Sequence, residues 1–132
     1  MRTIECRRVK VKRNMDLIRD ILAHVEDDQE LDGYHFKVFD TSDFPEHTED
    51  EIAYHVDLLI QAGFLRGDGG NLDAPTATIS ALTWQGHEFI ADTRDPGVWD
   101  SVKERTKGLP EVAIAAVWEL AKAEIRKKLG LL

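Results

Sequence analysis

A chain of 132 residues with formal net charge −8, 42% apolar and 32% charged is long enough to bury a full core as one domain. No apolar run approaches the roughly 20 residues that span a bilayer, and the basic start MRTIECRRVKVKR lacks the apolar stretch of a secretory signal, so a cytoplasmic location is expected. The single Cys6 excludes an intrachain disulfide and a thiolate metal cluster.

The charge is uneven. Arg2, Arg7, Arg8, Lys10, Lys12 and Arg13 stand against Glu5, so residues 1–13 carry +5 and the other 119 carry −13. An acidic body repels polyanions at long range, and nucleic-acid binding would need a local basic surface to overcome that field. Within the arm, Ile4, Cys6, Val9 and Val11 alternate irregularly with cations, a pattern compatible with a short strand or a disordered arm.

Asn14 is placed to cap a first helix whose buried stripe is Leu17, Ile18, Ile21, Leu22 and Val25, ending near Glu26. The acidic residues 26–32 and Gly33 read as a loop. Residues 34–39 alternate, with Phe36 and Val38 on one side, and predict a first strand. DTSDFPEH follows; Pro45 and its shortness leave room for a single helical turn around residues 42–44.

Thr48 and Glu51 make a capping box for a second helix with Ile52, Val56, Leu59 and Ile60 inward. Gly63 stops it, and Phe64 and Leu65 leave as extended chain. Gly67, Asp68, Gly69, Gly70 and Asn71 mark a turn, and residues 76–82 return as a strand. Thr83 caps a third helix carrying Trp84, Phe89 and Ile90. Asp95 and Pro96 start a fourth with Val98, Trp99 and Val102, ended by Gly108. Residues 110–129 form a last helix, with Ile114, Val117, Trp118, Ala121 and Ile125 on one stripe and Val112, Ala116, Leu120 and Ala123 on a weaker second one. A helix apolar on two sides needs two neighbours, so the first stripe is a candidate dimer seam, with Lys122, Arg126, Lys127 and Lys128 favourable at its C-terminus.

A helix ending in Ala-Gly-apolar-apolar before a hairpin looks like the recognition helix and first wing strand of a winged helix-turn-helix domain. Taken together, KRNMDLIRDIL at 12–22, EIAYHVDLLIQAGFL at 51–65 and LTWQGHEFI at 82–90 resemble a family of short bacterial and prophage-encoded proteins of unknown function. The resemblance implies an α+β winged-helix fold with a small antiparallel sheet and a phage or prophage association. It implies no catalytic residue and no ligand. Members of that family begin close to Lys12, so the first 11 residues read as an extension or a mis-called start. The expected organisation is a basic arm at 1–13, a winged-helix domain at 14–94 and a C-terminal helical extension at 95–132.

Two function classes follow. A DNA-binding regulator would use the arm, Arg7, Arg8, Lys10, Lys12 and Arg13, on phosphates or in a minor groove, with Tyr54, His55 and Gln61 on the helix and Arg66 before the wing reaching bases or phosphate. Against this, Glu49, Asp50, Glu51 and Asp57 face outward and no Lys or Arg occurs from 48 to 65. Acids in a first turn also stabilise a helix through its dipole. The alternative is an acidic protein-interaction module that docks a basic host or phage protein through Asp50 and Asp57. An enzyme is not expected. The five histidines show no HxH, HxxxH or HExxH spacing, so neither metal nor cofactor is expected, and Cys6 has no identifiable base partner.

Overall fold

The computed structural model describes residues 13–69, 77–108 and 113–130. Helix α1, Met15–Asp27, starts where Asn14 Oδ1 accepts the backbone N–H groups of Asp16 and Leu17 at 3.0 and 3.2 Å. Its stripe Leu17, Ile18, Ile21, Leu22 and Val25 is buried, each such side chain contributing about 1.5–3 kcal/mol by leaving water.

Residues 34–39 are not a strand. Here the chain meets the sheet at one bridge, where Lys37 and Ile79 exchange backbone hydrogen bonds at 2.9 and 2.8 Å, and just before it the Gly33 N–H donates to the Ser80 carbonyl at 2.9 Å. The cause is local: Asp32 Oδ1 accepts the N–H groups of Tyr34 and His35 at 2.9 and 3.1 Å, diverting both donors into an Asx turn. Phe36 and Val38, expected on the buried side, are exposed, and the inward residue is Phe39. The predicted single turn is present: the Asp43 and Phe44 N–H groups return to the Asp40 carbonyl, and Phe44 packs on Phe39 with ring centroids 5.6 Å apart.

Helix α2, Glu49–Gln61, buries Ile52, Val56 and Leu59. Gly63 adopts φ +85°, open to glycine without strain, and lets the Phe64 N–H reach the Leu59 carbonyl at 2.9 Å, which closes the helix and releases an extended chain. Strand β1, Leu65–Asp68, pairs antiparallel with β2, Thr78–Leu82, in the register Leu65↔Leu82 and Asp68↔Thr78, with an irregularity at Arg66/Gly67. The turn expected at 67–71 and the start of the strand expected at 76 lie partly outside the described residues.

Helix α3, Trp84–Thr93, is capped by Thr83, whose hydroxyl accepts the Gly86 N–H at 3.0 Å and donates to the Gly63 carbonyl at 2.5 Å. Phe89 and Ile90 are buried as expected, whereas Trp84 stays exposed. Helix α4, Pro96–Thr106, starts at Asp95 with Pro96 in its first turn and buries Val98, Trp99 and Val102. Helix α5, Ile114–Lys128, packs on α3 and α4. The result is an α+β chain of five helices and a two-stranded antiparallel sheet among the described residues.

One hydrophobic cluster runs from Leu17 of α1 through Phe64 and Phe89 to Val117 and Ala121 of α5, so the C-terminal helices share the core of the preceding segment. Polar ties reinforce this. Trp99 Nε1–H donates to Asp16 Oδ1 at 2.7 Å, and Arg19 donates to the carbonyls of Thr93 and Arg94 at 2.8 and 3.0 Å, satisfying acceptors at the end of α3. No helix among the described residues is long and apolar enough to cross a membrane.

Candidate functional site

Three devices fix the central helix α2, and they decide which of its side chains remain available. The first is the capping box. Thr48 Oγ1 accepts the Glu51 N–H at 3.1 Å and Glu51 Oε1 accepts the Thr48 N–H at 2.9 Å. That backbone donor holds the Glu51 carboxyl below the usual carboxylate range. Glu51 is therefore engaged in starting the helix.

The second is His55, which stands fully buried rather than on the open face where it was expected. Its Nε2 accepts the Asn14 backbone N–H at 2.7 Å and its Nδ1–H donates to the Glu51 carbonyl at 2.7 Å. His55 lies three residues after Ile52 and four before Leu59, inside the arc of the apolar stripe, and that spacing was the signal for its burial. The third is Gln61, whose amide donates to Asp57 Oδ2 at 2.8 Å one turn back.

Glu49, Asp50, Tyr54 and Gln61 are exposed, and Asp57 is half-buried. Among the described residues none of Glu49, Asp50 and Asp57 makes an ion pair. No Lys or Arg occurs between Lys37 and Arg66. Negative charge continues past the start of the helix. A recess of about 410 Å³ between α1 and the turn before α2 is lined by Asp20, His24, Asp27, Asp43, Glu46 and His47, and His47 Nδ1 lies 3.7 Å from Glu51 Oε1. Burial pushes the Asp20 carboxyl up, against the pull of Arg19. His24 Nε2 lies 3.4 Å from Asp43 Oδ1. The histidines and acids of the described residues do not gather into a group of three able to hold a metal.

Of the cations singled out for nucleic acid, Arg13 and Arg66 fall within the described residues. Arg7, Arg8, Lys10 and Lys12 lie outside the described residues. Arg13 sits at the opposite end of α2 from the capping box, lining a small apolar recess with Ile18, Leu58, Leu59, Gln61, Ala62 and Ile114. Arg66 is exposed on β1, its guanidinium beside Gly33.

The expected dimer stripe is spent largely on the chain's own core. Val117 and Ala121 are buried, and Ile114, Trp118 and Ile125 pack partly buried against the same cluster. Trp118 Nε1–H donates to Asp92 Oδ2 at 2.8 Å, and its ring meets Phe64 and Phe89 at 5.4 and 5.8 Å. Lys122 covers it, Nζ 4.4 Å from the ring centroid. The stripe was correctly apolar. Its neighbours turn out to be α3 and α4.

No solved structure matches the chain. An uncharacterized protein of Haemophilus influenzae is 31% identical over 122 residues, covering 91% of this chain and all of that protein. Residues 12–113 match the model of the family described as "Hypothetical protein (DUF2513)", and the chain belongs to that family.

Proposed function

We propose that the protein is a winged-helix-type interaction module that docks a basic protein partner through the acidic outer face of α2. The order of elements supports the winged-helix reading: α1, the bridging segment at Lys37, one helical turn, α2, then the hairpin β1–β2, with β2 lying between β1 and Lys37. The observation that carries the functional reading is the sign of the open face. Asp50 and Asp57 stand one turn to either side of Tyr54 and Glu49 is exposed at the helix start, with no compensating ion pair among the described residues, and the acidic recess continues the same field. A duplex reader gains most of its affinity from cations on phosphates, and this face supplies none. A lysine- or arginine-rich protein surface complements it, with Tyr54 offering an amphipathic anchor.

A second reading, a DNA-binding regulator, rests on one specific observation: residues 1–13 carry +5. In that case the duplex is held by the arm, through Arg7, Arg8, Lys10 and Lys12, and α2 contributes little. The prophage setting implied by the resemblance accompanies either reading and rests on that resemblance alone.

Affinity capture of the tagged chain from its host separates the two. Asp50→Lys and Asp57→Lys should each reduce recovery of the bound protein, by roughly tenfold if each removes about 1.4 kcal/mol. Recovery unchanged by both reversals, together with salt-sensitive duplex binding that is lost when Arg7, Arg8 and Lys10 are neutralised, would favour the regulator.

A further inference from the structure

Beyond the face of α2, the segment beside β2 has the features of an open docking edge. Lys37 turns its N–H and C=O toward Ile79. The N–H and C=O of Phe36 and Val38 flank that bridge. Among the described residues no hydrogen bond uses those four groups. The side chains beside the bridge are apolar and in water: Tyr34 is 86%, Phe36 59% and Val38 42% exposed.

Proteins ordinarily blunt such an edge with a free lysine, a proline or a covering element. Here the lysine is withdrawn, since Lys37 Nζ binds Asp28 at 2.7 Å and Glu30 at 3.1 Å. His35 Nδ1 is likewise held 3.0 Å from Asp32. Around it the carboxylates of Asp28, Glu30, Asp32 and Asp40 outnumber the cations Lys37, held by the first two, and Arg66, beside Gly33.

We propose that this edge takes an extended segment of a partner protein as an added strand, one that alternates apolar residues with lysine or arginine. The free N–H and C=O groups of Phe36 and Val38 supply main-chain pairing, Tyr34, Phe36 and Val38 supply apolar contact, and the flanking carboxylates select the cations. A second copy fits less well, because antiparallel pairing of two such edges sets one acidic flank against another. The inference is independent of the helix-face reading: reversal of Asp50 and Asp57 leaves this edge intact.

The test uses the full chain, ¹⁵N-labelled, titrated with the capped peptide KVKVKVK and with a twin of equal charge N-methylated on every residue, which offers no N–H on either edge and cannot pair as a strand. The amides of Phe36 and Val38 should shift and exchange more slowly with the first peptide and lose both responses with the twin. Val38→Pro, which removes one edge donor, should lose the response in a chain whose remaining spectrum is unchanged. Three results overturn the proposal: no change at these amides, equal response to both peptides, which makes the attraction one of charge alone, or protection of the same amides that rises with protein concentration in the absence of peptide, which assigns the edge to a second copy.

Discussion

The His55 ring accepts the backbone N–H of Asn14 through Nε2 at 2.7 Å, so one imidazole in α2 holds the residue that caps α1. Its other nitrogen donates to the Glu51 carbonyl at 2.7 Å, which requires the neutral ring with its proton on Nδ1. Protonation would set an N–H on Nε2 against the N–H of Asn14.

Burial pushes the His55 pKa below its ordinary 6.5, and nearby His47 and Arg13 push the same way, against the pull of Glu51. A depressed folded pKa means the unfolded chain binds the proton more readily. The contribution of His55 to stability is therefore complete above pH 6.5 and is lost as the pH falls from there through the lower folded value. Urea unfolding at pH 7.5 and pH 5 should show the midpoint dropping with acid. In His55→Leu that part of the drop should vanish, at the expense of about 1–3 kcal/mol at neutral pH for the stranded Asn14 donor.

Gly86, in the first turn of α3, lies against the chain just past the end of α2. A Cβ built there would stand 2.2 Å from the Phe64 carbonyl oxygen, the same oxygen that accepts the Thr83 N–H at 3.1 Å. Backbone on both sides cannot give way as a flexible side chain would. Gly86→Ala should destabilise by about 1–3 kcal/mol, although alanine is the better helix former. A urea midpoint equal to or above that of the parent chain would contradict this packing.

Trp99 ties α4 to α1 through its indole N–H on Asp16. Burial raises the Asp16 carboxyl, but the Trp99 bond and Lys103 outweigh it and leave the pKa lowered. Trp99→Phe keeps most of the apolar ring and removes the donor, so a loss of about 1–2 kcal/mol is expected. The Asp16 titration, followed by carboxyl carbon chemical shift, should move upward in the variant.

Asp57 separates stability from docking. It is half-buried, and its carboxylate accepts the Gln61 amide one turn along α2. Asp57→Lys should change the unfolding free energy by about 0.5 kcal/mol or less, so a loss of partner capture in that variant reports on the interface. An unfolding midpoint lowered as far as in Gly86→Ala would instead show that Asp57 supports the fold.

Much of the helical framework was legible because its signals are local. Asn14, Thr48 with Glu51, Thr83, and Asp95 with Pro96 each cap a helix at the expected position, since a cap involves residues within one turn. Pairing across the chain was less legible. The alternation of residues 34–39 fits either parity, and a one-residue change of register moves every side chain to the other face. Asp32 decided it by capturing the Tyr34 and His35 donors. Of the candidate face, Asp50, Tyr54, Asp57 and Gln61 lie where helical spacing put them. His55 was misplaced because a polar residue was assigned to the polar side, although its spacing set it among Ile52, Val56 and Leu59. The stripe from Ile114 to Ile125 was apolar for a reason that spacing alone does not reveal, the presence of Phe64 and Phe89 beneath Trp118.

The most direct test of the acidic face of α2 as a protein-docking surface is amide shift mapping of the full chain with random-sequence duplex DNA at low salt. Glu49, Asp50, Tyr54, Asp57 and Gln61 should show no perturbation at any duplex concentration, with any response confined to the basic residues ahead of Asn14. Saturable shifts centred on those five amides would contradict it and return the helix to the role of groove reader.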